Sequence, residues 1–136
     1  MYKLNREHLA AGPIEELVRM RATLLHRLEQ LLEGWEWPPM YAAVFGSMAR
    51  GQAHPASDVD LLLVRPDGAP DAVWEAQVAD LAWAVTRWTG NDARPVEFSP
   101  AELKRWRKDP LFAEVLAQGL TVAGKREWFR LQLGAK

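Results

Sequence analysis

Asp58 and Asp60 stand two apart at the head of the apolar run Leu61-Leu62-Leu63-Val64. On a strand, whose side chains alternate between faces, that spacing aims both carboxylates at one point and sends Val59 to the other side. Like charges held side by side repel, so the pair calls for a counter-charge. Magnesium takes oxygen ligands and is usually held by one or two carboxylates together with the phosphates of a substrate. A second feature lies upstream, where Gly46-Ser47 follows the apolar stretch Tyr41–Phe45 directly. A chain turning there exposes backbone N–H groups beside a hydroxyl and a residue with no side chain, which makes a seat for phosphate. Gly46-Ser47-Met48-Ala49-Arg50-Gly51 also satisfies the first six positions of a nucleoside-triphosphate P-loop. Gln52-Ala53 then occupy the places where Lys and Ser/Thr are required, which excludes that motif.

Gly46-Ser47, ten intervening residues and Asp58-Val59-Asp60 inside an apolar strand together resemble the polymerase-beta-like nucleotidyltransferase superfamily, most closely its minimal, single-domain bacterial members of the MNT type. The resemblance extends to Arg50-Gly51 and to Ser57 and covers about residues 41 to 123. It implies an α/β (α+β) nucleotidyltransferase fold, a small mixed sheet with helices packed against it. It also implies transfer of a nucleoside monophosphate, AMP first, from ATP or another nucleoside triphosphate to an acceptor hydroxyl, with two Mg2+ ions. On that basis Asp58 and Asp60 are the metal-binding catalytic pair. Glu97, in Pro95-Val96-Glu97-Phe98, is the expected third carboxylate, completing the acceptor-side metal. Gly46, Ser47, Arg50 and Ser57 are the expected nucleotide-binding residues, with Arg50 open to reading as a surface residue and Ser57 as a turn-former. His54 reads as a loop residue, and His8 and His26 carry no assignment.

The acceptor is less defined. Small-molecule transferases of the superfamily, such as those acting on aminoglycosides, usually add a helical domain after the third strand, whereas only 38 residues follow Phe98 here. That shortage favours an acceptor supplied by a partner protein or by a second copy of the chain. Minimal members resemble antitoxins paired with a HEPN-type toxin, so AMP transfer to such a partner ranks first. A small-molecule transferase or a non-catalytic nucleotide-binding regulatory module is the alternative.

Several elements must position these residues. Pro13 suits a first helical turn, and Ile14, Leu17, Val18, Leu24, Leu25, Leu28, Leu31 and Leu32 recur at helical spacing until Gly34, predicting a core-facing helix over 13–33. Its stripe is broad enough to serve a homodimer as well. Trp35 and Trp37, in a proline-stiffened linker, are expected to cover the core edge. Arg65-Pro66-Asp67-Gly68 is turn chemistry, and Asp71 is a candidate cap for a crossover helix ending at Gly90. Ser99-Pro100-Ala101-Glu102 is a capping box, Asp109-Pro110 repeats the cap-then-proline device, and Leu120–Gly124 is either a last strand or an extended lid. The expected organisation is an arm over 1–12, a nucleotidyltransferase domain over 13–124 and a basic tail over 125–136. Tyr2–Leu9 looks like the junction that follows a winged helix-turn-helix domain in longer relatives.

At 136 residues the chain has the length of one domain. A net charge of -1 gives no overall basic field, which argues against charge-driven nucleic-acid binding. Without cysteine there is no disulfide or thiolate metal site. No apolar run approaches the ~20 residues of a membrane span, so the expectation is a soluble, cytoplasmic protein.

Overall fold

The computed structural model describes residues 11–51 and 57–134. Its sheet has four strands in the order β3-β2-β1-β4: β1 (Tyr41–Phe45), β2 (Val59–Val64), β3 (Ala93–Phe98) and β4 (Leu120–Ala123). β1 runs antiparallel to both β2 and β4, and β2 runs parallel to β3. A parallel pair needs a crossover rather than a hairpin, and α3 (Asp71–Thr89) provides it. The central strands β1 and β2 are covered on both faces, which explains why Tyr41–Phe45 and Leu61–Val64 are unbroken apolar runs. Pro95, which has no N–H to donate, lies on the edge strand β3.

One face packs under α1 (Ala11–Glu33) and α3. There Leu24, Leu28 and Leu32, one helical turn apart, join Trp74, Leu81 and Val85 over Ala42, Val44, Leu61 and Leu63. Val18, expected on the same buried stripe, is instead 60% exposed. Trp35 meets Trp74 edge to face at 5.5 Å. The buried Gln77 both accepts from the Trp37 N–H and donates to the Trp37 carbonyl, each at 3.0 Å, so the linker is fastened to α3. Asp71 does not cap α3. Pro70 occupies the cap position, and Asp71 pairs with Arg65 at 2.5 Å.

The other face packs under α4 (Pro100–Arg105), α5 (Pro110–Gln118) and α6 (Arg126–Gln132). Ser99 and Glu102 form the expected capping box at the start of α4, and Asp109 accepts from the Leu111 N–H at the start of α5. Leu120–Ala123 is a strand, not a lid. Residues 125–136, set apart by composition as a basic tail, include α6, whose Phe129 stacks on Tyr41 at 4.6 Å and is fully buried with Leu103, Phe112 and Val115. α6 therefore belongs to the core. The proposed arm over 1–12 falls largely outside the described residues, as does His54.

Candidate active site

The site forms where β1 ends and β2 begins. Antiparallel pairing sets Phe45 against Asp60, so the chain leaving β1 turns directly over the carboxylates. That turn opens with Gly46 at φ +73 and continues into the single-turn α2 (Gly46–Ala49), closed by the Arg50 N–H to the Gly46 carbonyl at 3.1 Å. A Cβ on Gly46 would fall 2.3 Å from Asp60 Oδ2. Only glycine supplies both the left-handed backbone and the space that the carboxylate fills.

Asp58 immediately precedes β2 and Asp60 lies on it, both half-buried, with Val59 fully buried between them and facing the α1/α3 core. Asp60 is held above the ordinary carboxylate range chiefly because it is partly buried; Arg94 opposes the shift, Asp58 and Glu114 add to it through like charge, and Arg50 opposes it more weakly. Two guanidiniums therefore stand beside three carboxylates. Arg94 Nε lies 3.2 Å from Asp58 Oδ2, and Arg50 Nη1 lies 3.6 Å from Glu114 Oε2 on α5. Ser57 is buried beside Asp58, and Ser47 is half-buried in the turn.

Glu97 is not part of this constellation. The β2–β3 register aligns Asp60 with Arg94, Leu62 with Val96 and Leu63 with Glu97. Neighbours across a parallel pair share a face, so Glu97 lies on the α3 side of the sheet, opposite Asp60, where it accepts a 2.6 Å hydrogen bond from Trp74 Nε1. The expected third carboxylate is thus corrected to a structural acceptor for Trp74. The residue of β3 that reaches the carboxylate pair is Arg94. Arg94 and Glu114 were both missed in the sequence. Period-two alternation ties Arg94 to Val96 and Phe98, but only the register shows that those residues share the face of Asp60, and nothing local marks Glu114. Among the described residues, no three Asp, Glu, His or Cys side chains are grouped to hold a metal ion.

The two carboxylates still fit a divalent cation. They are hard oxygen donors two residues apart at the start of β2, and each is partly shielded from solvent, the donor set that magnesium takes. A cavity of about 550 Å³ lined by Glu29, Leu32, Pro38, Pro39 and Thr121–Gly124 lies elsewhere, between α1 and β4. Among the described residues, no helix is long and apolar enough to cross a membrane.

The four-stranded mixed sheet thus carries a glycine turn closed over Asp60, with Asp58 beside it. The family model described as "Nucleotidyltransferase domain" matches residues 28–114, and the chain belongs to that family of enzymes. It is 30% identical over 96 residues to the bifunctional uridylyltransferase/uridylyl-removing enzyme of Vibrio atlanticus (strain LGP32), a match covering 66% of this chain and only 11% of that enzyme. Its fold is similar to that of a chain in a toxin–antitoxin crystal structure with AMP-PNP, at TM-score 0.57 and 21% identity over 81% of each chain. It is also similar to a chain of the tri-AMPylated Shewanella oneidensis HEPN toxin in complex with MNT antitoxin, at TM-score 0.53 and 18% identity over 83% of this chain and 80% of that one.

Proposed function

We propose that this nucleotidyltransferase moves AMP from ATP, with Mg2+, to a hydroxyl of a HEPN-type partner protein. The observation that carries the reading is the closure of Gly46 over Asp60, with Asp58 beside it, at the open end of the sheet. The AMP-PNP-bound toxin–antitoxin structure and the AMPylated toxin among the fold relatives support the nucleotide and the acceptor.

In the transfer, an acceptor oxygen attacks the α-phosphorus, the bond from that phosphorus to the bridging oxygen breaks, pyrophosphate leaves and the hydroxyl proton passes to solvent. Asp58 and Asp60 would hold the cation, which when bound neutralises charge on the triphosphate and steadies the attacking and departing oxygens. Gly46 lets the turn close over the Asp60 carboxylate, and Ser47 in that turn would offer the phosphates a hydroxyl. Arg50, kept near the turn by Glu114, contributes positive charge on the pyrophosphate side. Ser57 supports the approach to Asp58.

The test is label transfer. The chain, co-expressed with its co-purifying proteins, is incubated with Mg2+ and either ATP or UTP labelled at the α-phosphate. Label from ATP should appear on a protein other than this chain and be lost with Asp58→Asn. Preferential use of UTP, the nucleotide suggested by the Vibrio relative, would replace AMP by UMP. Label confined to small metabolites would overturn the protein acceptor.

A further inference from the structure

We infer that Arg94 is a built-in counter-cation of the carboxylate pair, one that occupies Asp58 when the site is empty and must be displaced before a divalent cation can bind. The inference rests on the metal-dependent reading above and goes beyond it by coupling metal loading to nucleotide loading. The parallel register sets Arg94 opposite Asp60, and its Nε reaches Asp58 Oδ2 at 3.2 Å, so a guanidinium already lies against one of the two carboxylates that would hold a metal. A guanidinium cannot shed its charge at any ordinary pH. Asp58 therefore exchanges one cation for another when metal enters.

Two further observations give Arg94 this role rather than that of a fixed strut. Its side chain is 67% exposed on an edge strand, so it has room to swing away, and the ion pair is wet enough to exchange. The other nearby guanidinium, Arg50, forms an ion pair with Glu114 on α5. Free metal meets a site already neutralised at Asp58. A metal–triphosphate complex brings its own negative charge, which attracts the displaced guanidinium and repays the exchange. Arg94 is thus a positioning residue that makes metal and nucleotide bind more tightly together than apart.

The measurement is Mn2+ binding to the parent, Arg94→Ala and Arg94→Lys, by electron paramagnetic resonance of the free ion, first alone and then with AMP-PNP. Arg94→Ala should bind Mn2+ alone about one-and-a-half- to fivefold more tightly, the range expected when an exposed ion pair stops competing, and AMP-PNP should then tighten Mn2+ binding less than in the parent. Arg94→Lys, which keeps the charge, should restore weak binding of Mn2+ alone. Unchanged or weaker Mn2+ binding in Arg94→Ala, undiminished coupling to AMP-PNP, or no restoration by Lys would each overturn the inference. Its failure is separable from that of the nucleotidyl-transfer reading. If Mn2+ tightens in Arg94→Ala but AMP-PNP binds none of the proteins, competition at Asp58 stands and nucleotide coupling falls together with that reading. If AMP-PNP binds the parent with Mn2+ and Arg94→Ala moves neither constant, the reading stands and the inference falls.

Discussion

Gly46→Ala separates a backbone cost from a site cost, because Gly90 supplies the control. Both glycines are left-handed, at φ +73 and +77, but a Cβ on Gly90 meets nothing within 4 Å, whereas one on Gly46 lands 2.3 Å from Asp60 Oδ2. Forcing alanine into that backbone region costs about 1–2 kcal/mol at either position. For a domain of this size that is a melting-temperature loss of about 3–10 °C. At Gly46 the Asp60 oxygen must also retreat by at least 0.7 Å, the gap between 2.3 Å and the 3.0 Å below which Cβ contacts essentially never fall. Metal–ligand distances tolerate only about ±0.2 Å, so Asp60 is lost as a well-placed ligand. Calorimetry should show Mg2+-dependent AMP-PNP binding weakened by about 10–100-fold in Gly46→Ala and unchanged in Gly90→Ala, with similar thermal losses in both. Equal binding by the parent and Gly46→Ala would refute the reasoning, and equal impairment by the two variants would show that the effect is global.

Other outcomes follow from the same geometry. Glu97→Ala should leave Mg2+-dependent AMP-PNP affinity within about twofold while lowering stability by about 1 kcal/mol in urea titration, since the Trp74 indole N–H loses its acceptor. Because Asp60 binds its proton more tightly folded than unfolded, its ionisation opposes folding; metal-free stability should fall as pH rises from the unfolded value of 3.8 through the raised folded value. Asp60→Asn should flatten that descent and, above it, be more stable than the metal-free parent, measured by urea unfolding across the window. Phe129→Ala should cost about 3–5 kcal/mol and abolish the near-ultraviolet signature of the Tyr41–Phe129–Phe112 cluster, whereas a detachable tail would leave both unchanged.

The elements that local chemistry specifies were legible in the sequence. The capping box at Ser99, the proline starts of α4 and α5 and the apolar runs of β1 and β2 each follow from residues close together in the chain. The approach of Gly46 to Asp60 is local in the same sense, since it follows from the antiparallel pairing of β1 and β2, neighbours in the chain. What failed depended on contacts between distant segments. Glu97 alternates with Val96 and Phe98 as expected, but the face it takes is set by the β2–β3 register across the α3 crossover, and no local pattern encodes it. α6 is a short helix of mixed charge whose place in the core rests chiefly on Phe129, seated against Tyr41 eighty-eight positions earlier in the chain, with Trp128 and Leu133 packed in the same cluster. Arg94 has no local mark in the sequence, because its partner, Asp58, lies across the crossover.

The most direct test of the metal and triphosphate site is calorimetric titration of AMP-PNP into the parent and into Asp58→Asn, each with and without Mg2+. Binding that requires Mg2+ in the parent and disappears in Asp58→Asn is the predicted result. Binding by the parent that is indifferent to Mg2+, or that survives intact in Asp58→Asn, would contradict the assignment of Asp58 and Asp60 as its cation ligands.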